Sequence, residues 1–306
     1  MNQDKIAEKA APCLLTMQAI TFLHPGTGQT TGVVDLPIQR EVHTGFPMIA
    51  GSSLKGSLRD KAEHSFEKDK DRVSMVFGSQ VNAETDLTAG SFSITDARIL
   101  AFPVRSLQHV FVWVTCPMVL KRMKRDAGII GLDMNGLGEF EFSANKALVR
   151  KNKFNDSLFL EEIQFELELS DDHKKISNFI RSRLCENANF DPERLVIIPD
   201  EDFEYLVTHA TQVSTRIKLD ENKTTSGDGG NMWVEETLPP ETLLYSLVLY
   251  HEPRMQDYTQ AQVIEFFQEL MADGYLQIGA NETVGQGWCC VRLFDGKEDA
   301  DANANK

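Results

Sequence analysis

Apolar residues along this chain recur with two distinct periods, and the two periods divide it into helices and strands. Leu54, Leu58, Ala62 and Phe66 stand four apart, which predicts a helix from Ser52 to about Lys68 with one buried ridge. Ile176, Phe179, Ile180 and Leu184 predict another over 171–184, and Val263, Phe266, Phe267 and Leu270 a third over 259–272. Alternating or continuous apolar, β-branched runs predict strands at 13–23, 91–104 (with a kink), 107–115, 139–142, 158–169, 243–250 and 275–278, and a last one through Leu293. Pro117 opens a short basic helix through Arg125, and 192–206 reads as helical or mixed. Two β-like runs, 213–219 and 231–235, flank DENKTTSGDGG, the signature of a hairpin with a long tip. Between His24 and Ala50, Gly, Pro and Thr recur at intervals that suit neither a helix nor a long strand. That segment is a long ordered loop, and long loops in compact domains usually carry function.

The order strand, helix, strand, strand, late helix, final strand fits an α+β, ferredoxin-like βαββαβ core with large insertions. No internal repeat signals a solenoid, and no linker separates two equal domains. With 306 residues, 42% of them apolar, a buried core is well supplied. The formal charge of −15 argues against nucleic-acid binding through the overall field. Local fields still decide binding, because screening acts over only about 8 Å at physiological salt. Cations gather at 40–59, 121–125 and 150–153, so a basic groove on an acidic body is expected. The N-terminal MNQDKIAEKAAP mixes charges without an apolar signal core, and no stretch approaches a membrane-spanning length; a cytoplasmic protein with no membrane partner is expected. The five cysteines lack CxxC spacing, so buried free thiols are expected and a zinc site is not. The two Asn-x-Thr sequons, at Asn222 and Asn281, are accidental without a secretory signal.

The chemistry concentrates in HPGTGQTTGVVDLPIQREVHTGFPMIAGSSLKGSLR, residues 24–59. Gly51, Ser52 and Ser53 supply small and capping residues at a helix start, where free N–H groups and the positive end of the helix dipole face outward. Lys55 and Arg59 share a face one turn apart, and with Arg40 they are candidates for phosphate contacts; the alternative is an ordinary solvated basic face. Ser52 and Lys55 also match SxxK, but no SDN or KTG element follows. Asp35 lies in an irregular segment between Gly32 and Pro37, where an acid either caps a turn or serves chemistry. One carboxylate there can hold a divalent cation, Mg²⁺ or Mn²⁺, through oxygen ligands, or act as a general base. His24 and the Glu235/Glu236 pair are candidate helpers; otherwise His24 closes a strand end and the glutamates form a solvated hairpin edge. The loop IGANETVGQGW sets Gly279, Gly285 and Gly287 between a helix and a strand, where backbone can approach a phosphate; it does not join a strand to a following helix, so it is no dinucleotide fingerprint. Met232 and Trp233 give the hairpin end apolar surface, which by itself fits packing.

These blocks resemble a known family. GVVDLPIQRE and TGFPMIAGSSLKGSLR, extended by FGS at 77–79, AGSFSITDARILAFPVRS from Ala89, VFVWVTCPMVLKR from Val110, EETLPPETL from Glu235 and LQIGANETVGQGW from Leu276, are similar to the backbone subunits of type III-B CRISPR (Cmr) effector complexes, within the RAMP superfamily. The resemblance implies an RRM-like core forming one domain over 1–294, with an inserted lid and a thumb at about 208–242, followed by an acidic tail at 295–306. It implies a metal-dependent endoribonuclease, active in the assembled complex, in which Asp35 matches the aspartate needed for cutting. Guide RNA would run along the helix of Ser52, Ser53, Lys55 and Arg59 and over the glycine loop, and the thumb would wedge Met232 and Trp233 into the guide–target duplex. The implied partners are guide RNA, single-stranded target RNA, further copies of the chain in a head-to-tail filament and other subunits of the complex. Two other readings stay open: a non-catalytic RNA-binding scaffold of the same superfamily, with Asp35 structural, and a standalone guide-processing endonuclease using His24 as acid or base.

Overall fold

The computed structural model describes residues 10–79, 88–131, 146–150, 157–221, 223–224, 232–255 and 257–295. The first half contains β1 (Ala11–Ala19), β2 (Met48–Ile49), α1 (Gly51–Ser65), α2 (Lys70–Phe77), β3 (Phe92–Ile94), β4 (Ala97–Arg105), β5 (Phe111–Thr115), α3 (Pro117–Ile129) and β6 (Lys146–Val149). There follow β7 (Ser157–Leu160), β8 (Ile163–Leu169), α4 (Asp171–Arg183), β9 (Leu195–Ile197), α5 (Asp200–His209), β10 (Gln212–Ile217), β11 (Met232–Thr237), β12 (Leu243–Tyr250), α6 (Gln260–Leu270), β13 (Tyr275–Gln277) and β14 (Trp288–Phe294).

The centre is the pair β1 and β12. CLLTMQA and LLYSLVLY are nearly continuous apolar runs, as strands covered on both faces must be, and they pair antiparallel with Cys13 opposite Val248. Among the described residues a twelve-stranded sheet runs β13-β14-β1-β12-β4-β5-β9-β6-β8-β7, with β2 added to β4 and β3 to β12. Within it, β14, β1, β12 and β4 lie side by side and every neighbouring pair is antiparallel. With α1 after β1 and α6 after β12, this is the strand order 4-1-3-2 of a βαββαβ frame. The insertion between β4 and β12 extends the sheet outward and ends in the separate β10–β11 hairpin.

The α1 ridge of Leu54, Leu58 and Ala62 is buried as its spacing requires, and Phe66 packs on Phe266 of α6 with ring centroids 4.7 Å apart. Phe77, Phe92, Phe267 and Tyr250 extend this aromatic layer between the helices and the sheet. Among the described residues no helix is long and apolar enough to cross a membrane.

Several elements differ from the sequence reading. The strand expected over 91–104 is two strands, broken at Thr95 and Asp96 because Asp96 turns to cap α1. The strand expected over 158–169 is the hairpin β7–β8, turning at Glu161, φ 49°, where the consecutive acids Glu161 and Glu162 break the apolar alternation. Residues 70–77 are helical, opened by Asp69 accepting from the Arg72 N–H. The strand expected at 139–142, the hairpin tip at 225–231 and the tail beyond Asp295 lie outside the described residues. Cys13, Cys116 and Cys289 are buried thiols, but Cys185 and Cys290 are joined as a disulfide between the end of α4 and β14, 105 residues apart, a pairing that spacing alone could not reveal.

Candidate active site and nucleic-acid interface

The loop after β1 is built by backbone pairing with the root of the hairpin. Leu23 exchanges hydrogen bonds with Leu238, and Gly26 pairs with Ile38, so residues 25–39 fold back on themselves. The returning limb lies parallel to β11: the Leu36 N–H donates to Val234 O at 3.0 Å and the Glu236 N–H to Leu36 O at 3.0 Å. Asp35 continues this ladder with its side chain. Its Oδ2 accepts the Val234 N–H at 2.7 Å, where a backbone carbonyl would otherwise stand. This charge-assisted bond fixes the carboxylate, while Oδ1 has no hydrogen-bond partner among the described residues.

His24 is buried at 4% exposure. Its Nδ1 lies 2.6 Å from the Glu236 carbonyl, which can only accept, so in the neutral ring Nδ1 carries the hydrogen and Nε2 the lone pair. Gly26 makes room for that edge, since a Cβ there would lie 2.7 Å from Nε2. A groove of about 530 Å³ opens beside the ring, walled by His24, Gly26, Leu36, Ser53, Ser57, Glu235, Gly279 and Asn281. Asp35 is not part of its wall but adjoins it through Leu36. A second groove of about 510 Å³ shares Ser57 and Gly279 and continues along α1 past Lys61 and His64.

The two glutamates of β11 are buried, which corrects the solvated hairpin edge. Glu236 Oε1 accepts from Arg40 Nη2 at 2.5 Å and Thr211 Oγ1 at 2.8 Å, and Oε2 accepts the Ile38 N–H at 3.1 Å. With both oxygens engaged, Glu236 braces the loop rather than offering a free carboxylate. Arg40 is committed in the same way: Nη1 donates to Gly45 O at 2.9 Å and Val207 O at 3.0 Å, leaving it a brace and not an open phosphate clamp. Glu235, 2% exposed, accepts from Asn281 Nδ2 at 2.6 Å, with Arg216 Nη2 at 3.6 Å.

The helix start also departs from expectation. Its N-cap is Ala50, which has no capping side chain; Asp96 Oδ1 instead accepts the Gly51 N–H at 2.8 Å. The Ser52 and Ser53 N–H groups have no partner among the described residues and remain available to an anion. Lys55 lies over the Phe92 ring, 5.0 Å from its centroid, and burial, reinforced by Arg59, pushes its ammonium below the usual range. Arg59 donates to Glu63 at 2.8 Å and to Gly78 O at 3.4 Å. Ser53 and Ser57 face the groove, whereas Lys55 and Arg59 occupy the other flank of α1, toward Phe92 and Gly78.

The expected basic groove is therefore corrected. The groove beside His24 has no Lys or Arg in its wall, and the second groove has Lys61, itself paired with Asp273 at 2.6 Å, while Arg40, Arg59, Arg122 and Arg125 are engaged with Glu236, Glu63, Glu41 and Asp126. Gly279 and Gly287, at φ 87° and 86°, let the chain's own backbone approach closely: a Cβ would lie 2.6 Å from His24 O at the first and 2.2 Å from Ile278 O at the second, and Gly279 also lines both grooves. Gly285 faces open space. On the hairpin, Met232 is 67% exposed opposite Ile217, and Trp233 opposite Arg216 keeps its Nε1 buried and without a partner among the described residues. Among the described residues no group of three or more His, Cys, Asp or Glu side chains is placed to hold a metal ion. The sequence reading missed Asn281, whose left-handed backbone and amide tie the glycine loop to Glu235; an Asn amid glycines was the available signal.

Comparison with known proteins agrees with this architecture. The model of the RAMP superfamily matches residues 16–290. The chain is 38% identical over 287 residues to the CRISPR system Cmr endoribonuclease Cmr4 of Pyrococcus furiosus, covering 92% of this chain and 95% of that protein. The crystal structure of oligomeric Cmr4 from Pyrococcus furiosus superposes with a TM-score of 0.69 at 31% identity, covering 92% of this chain and 97% of the other. A chain of the type III-B Cmr-beta complex bound to cognate target RNA shares the fold, with a TM-score of 0.73 at 24% identity over 93% of this chain and 98% of its own.

Proposed function

Since the chain belongs to the RAMP superfamily over nearly all its length, we propose that it is the repeated backbone subunit of a cytoplasmic, RNA-guided type III-B CRISPR complex. In this reading it holds guide RNA, associates with further copies of itself and with other subunits, and cuts complementary target RNA at regular intervals through Asp35. The observation that carries the proposal is the setting of Asp35: one carboxylate oxygen is held by the hairpin root and the other is open, beside a groove along α1. The relatives' names, an endoribonuclease and an oligomeric Cmr4, support the same activity and self-association.

The chemistry asked of Asp35 is modest. Its Oδ1 accepts the proton of a ribose 2′-hydroxyl as the 2′-oxygen attacks the adjacent phosphorus in line; the 5′-oxygen leaves and takes a proton from water. In the alternative role the same oxygen would hold a divalent cation, Mg²⁺ or Mn²⁺, in place of accepting that proton. Such an ion, when bound, supplies charge neutralisation at the phosphate. His24, with its lone pair on Nε2, is arranged to accept a proton rather than give one. Glu236 and Arg40 hold the loop in place. The Ser52 and Ser53 N–H groups, with Lys55 nearby, and the open Gly285 receive guide phosphates, while Met232 and Trp233 wedge between bases. A displaced base strains the neighbouring backbone toward in-line geometry, which is how one carboxylate suffices.

The test is cleavage of labelled guide-complementary RNA by the reconstituted complex, wild type against Asp35→Ala, with and without Mg²⁺, with binding measured in parallel. Regularly spaced, metal-dependent cuts that vanish in the variant while binding persists are expected. Cuts that survive the substitution would move the chemistry elsewhere and leave this chain a scaffold.

A further inference from the structure

The geometry points to Asn281 as a positioning residue for cleavage, one that makes the setting of Asp35 depend on the glycine loop; this rests on the reading of Asp35 as the cutting group. Asn281 holds φ 64°, a left-handed conformation that Asn tolerates better than most residues. Its Nδ2 donates to Glu235 Oε1 at 2.6 Å and to Gln286 Oε1 at 2.9 Å, so both amide hydrogens are in use. Glu235 is buried, and without Asn281 its carboxylate keeps, among the described residues, only Arg216 at 3.6 Å. A buried carboxylate that loses its nearest donor must shift or draw in water. On β11, Glu235 stands between Val234, whose N–H holds Asp35, and Glu236, whose carboxylate takes the Ile38 N–H. Displacing Glu235 therefore disturbs both contacts that place the loop.

The other end of the link is equally tied. Gln277 Nε2 donates to Glu282 O at 3.1 Å and Gln286 O at 2.8 Å, and the Ala280 N–H donates to His24 O at 3.0 Å. Anything that sets the glycine loop, RNA included, acts on the hairpin root through this amide.

Three variants in the assembled complex test it. Asn281→Gly keeps the positive φ without strain and deletes the amide; Asn281→Asp keeps the shape but sets a carboxylate against Glu235; Asn281→Asp with Glu235→Gln reverses donor and acceptor and restores the bond. The readouts are single-turnover cleavage at saturating target, target affinity, and hydrogen exchange of the peptide bearing the Val234 amide. Asn281→Gly should cleave roughly ten- to a hundredfold more slowly, as misplacement of about an ångström costs, with unchanged affinity and faster exchange at Val234. Asn281→Asp should be at least as slow, and the double variant should return to within a few-fold of wild type. Wild-type cleavage by Asn281→Gly, unaltered Val234 exchange, or a double variant no faster than Asn281→Asp would each overturn the proposal. Cleavage that survives Asp35→Ala is a separate result and overturns the underlying reading instead.

Discussion

Replacing Glu236 separates bracing from chemistry. Alanine there removes the acceptor of three donors at once: Arg40 Nη2, Thr211 Oγ1 and the Ile38 N–H. Arg40 would keep its bonds to Gly45 O and Val207 O but lose its counter-charge in a largely enclosed site. Breaking one partner of a buried ion pair costs about 3–5 kcal/mol. For 306 residues, at about 2.1 cal/mol/K each, the unfolding entropy near the midpoint is roughly 0.64 kcal/mol/K, so the expected fall in melting temperature is about 5–8 °C. Glu236→Gln should fall between alanine and wild type: its oxygen can serve Arg40 and Thr211, but its NH₂ then faces the Ile38 N–H, donor against donor. Thermal unfolding of the isolated chain reads the cost, and cleavage by the assembled complex well below the midpoint reads the chemistry. Arg40→Ala should cost a similar amount, and the double alanine variant less than the sum of the two. A Glu236→Ala protein that melts within a degree of wild type yet has lost cleavage would refute the bracing argument and return Glu236 to the reacting groups.

Other expectations follow from the same structure. His173 is fully buried, and burial pushes its pKa down to about 4 from 6.5 even though Nε2 reaches Leu195 O at 2.7 Å. Between those values the unfolded chain binds the proton and the folded one does not, so stability is complete above about pH 6.5 and is lost as pH falls toward 4. The whole effect is about 3 kcal/mol, and in urea titrations at pH 7 and pH 5 His173→Gln should lose less than wild type; equal slopes would count against it. Gly287→Ala must clear Ile278 O at 2.2 Å and hold φ 86°, whereas Gly285→Ala, at φ 81°, meets nothing within 4 Å. The second should cost about 1 kcal/mol from backbone strain and the first clearly more, measured by denaturant unfolding. Reduction of Cys185–Cys290 reopens a loop of 105 residues; reductant should lower the midpoint of wild type, with about 2–4 kcal/mol at stake, and leave Cys185→Ser with Cys290→Ser unchanged.

What the sequence alone determined is what repeats locally or is carried by composition. The α1, α4 and α6 faces were legible because a helix buries residues three and four apart. The β1 and β12 runs were legible because strands enclosed on both sides need no polar positions. The 24–50 loop stood out because Gly and Pro exclude regular structure there, and Asp35 within it was singled out by the family resemblance, its local sequence fitting a turn cap as well. The partners of those residues were decided by the tertiary fold. Asp35 and Val234 are 199 residues apart in sequence, Arg40 and Glu236 are 196, and Asn281 meets Glu235 across 46. Spacing cannot distinguish an arginine that meets a phosphate from one that meets a buried glutamate, since both need only a charge in a loop. Pairing of β1 with β12 and of the returning loop with β11 brings those distant groups to hydrogen-bonding distance, and at that distance geometry decides which carboxylate remains open.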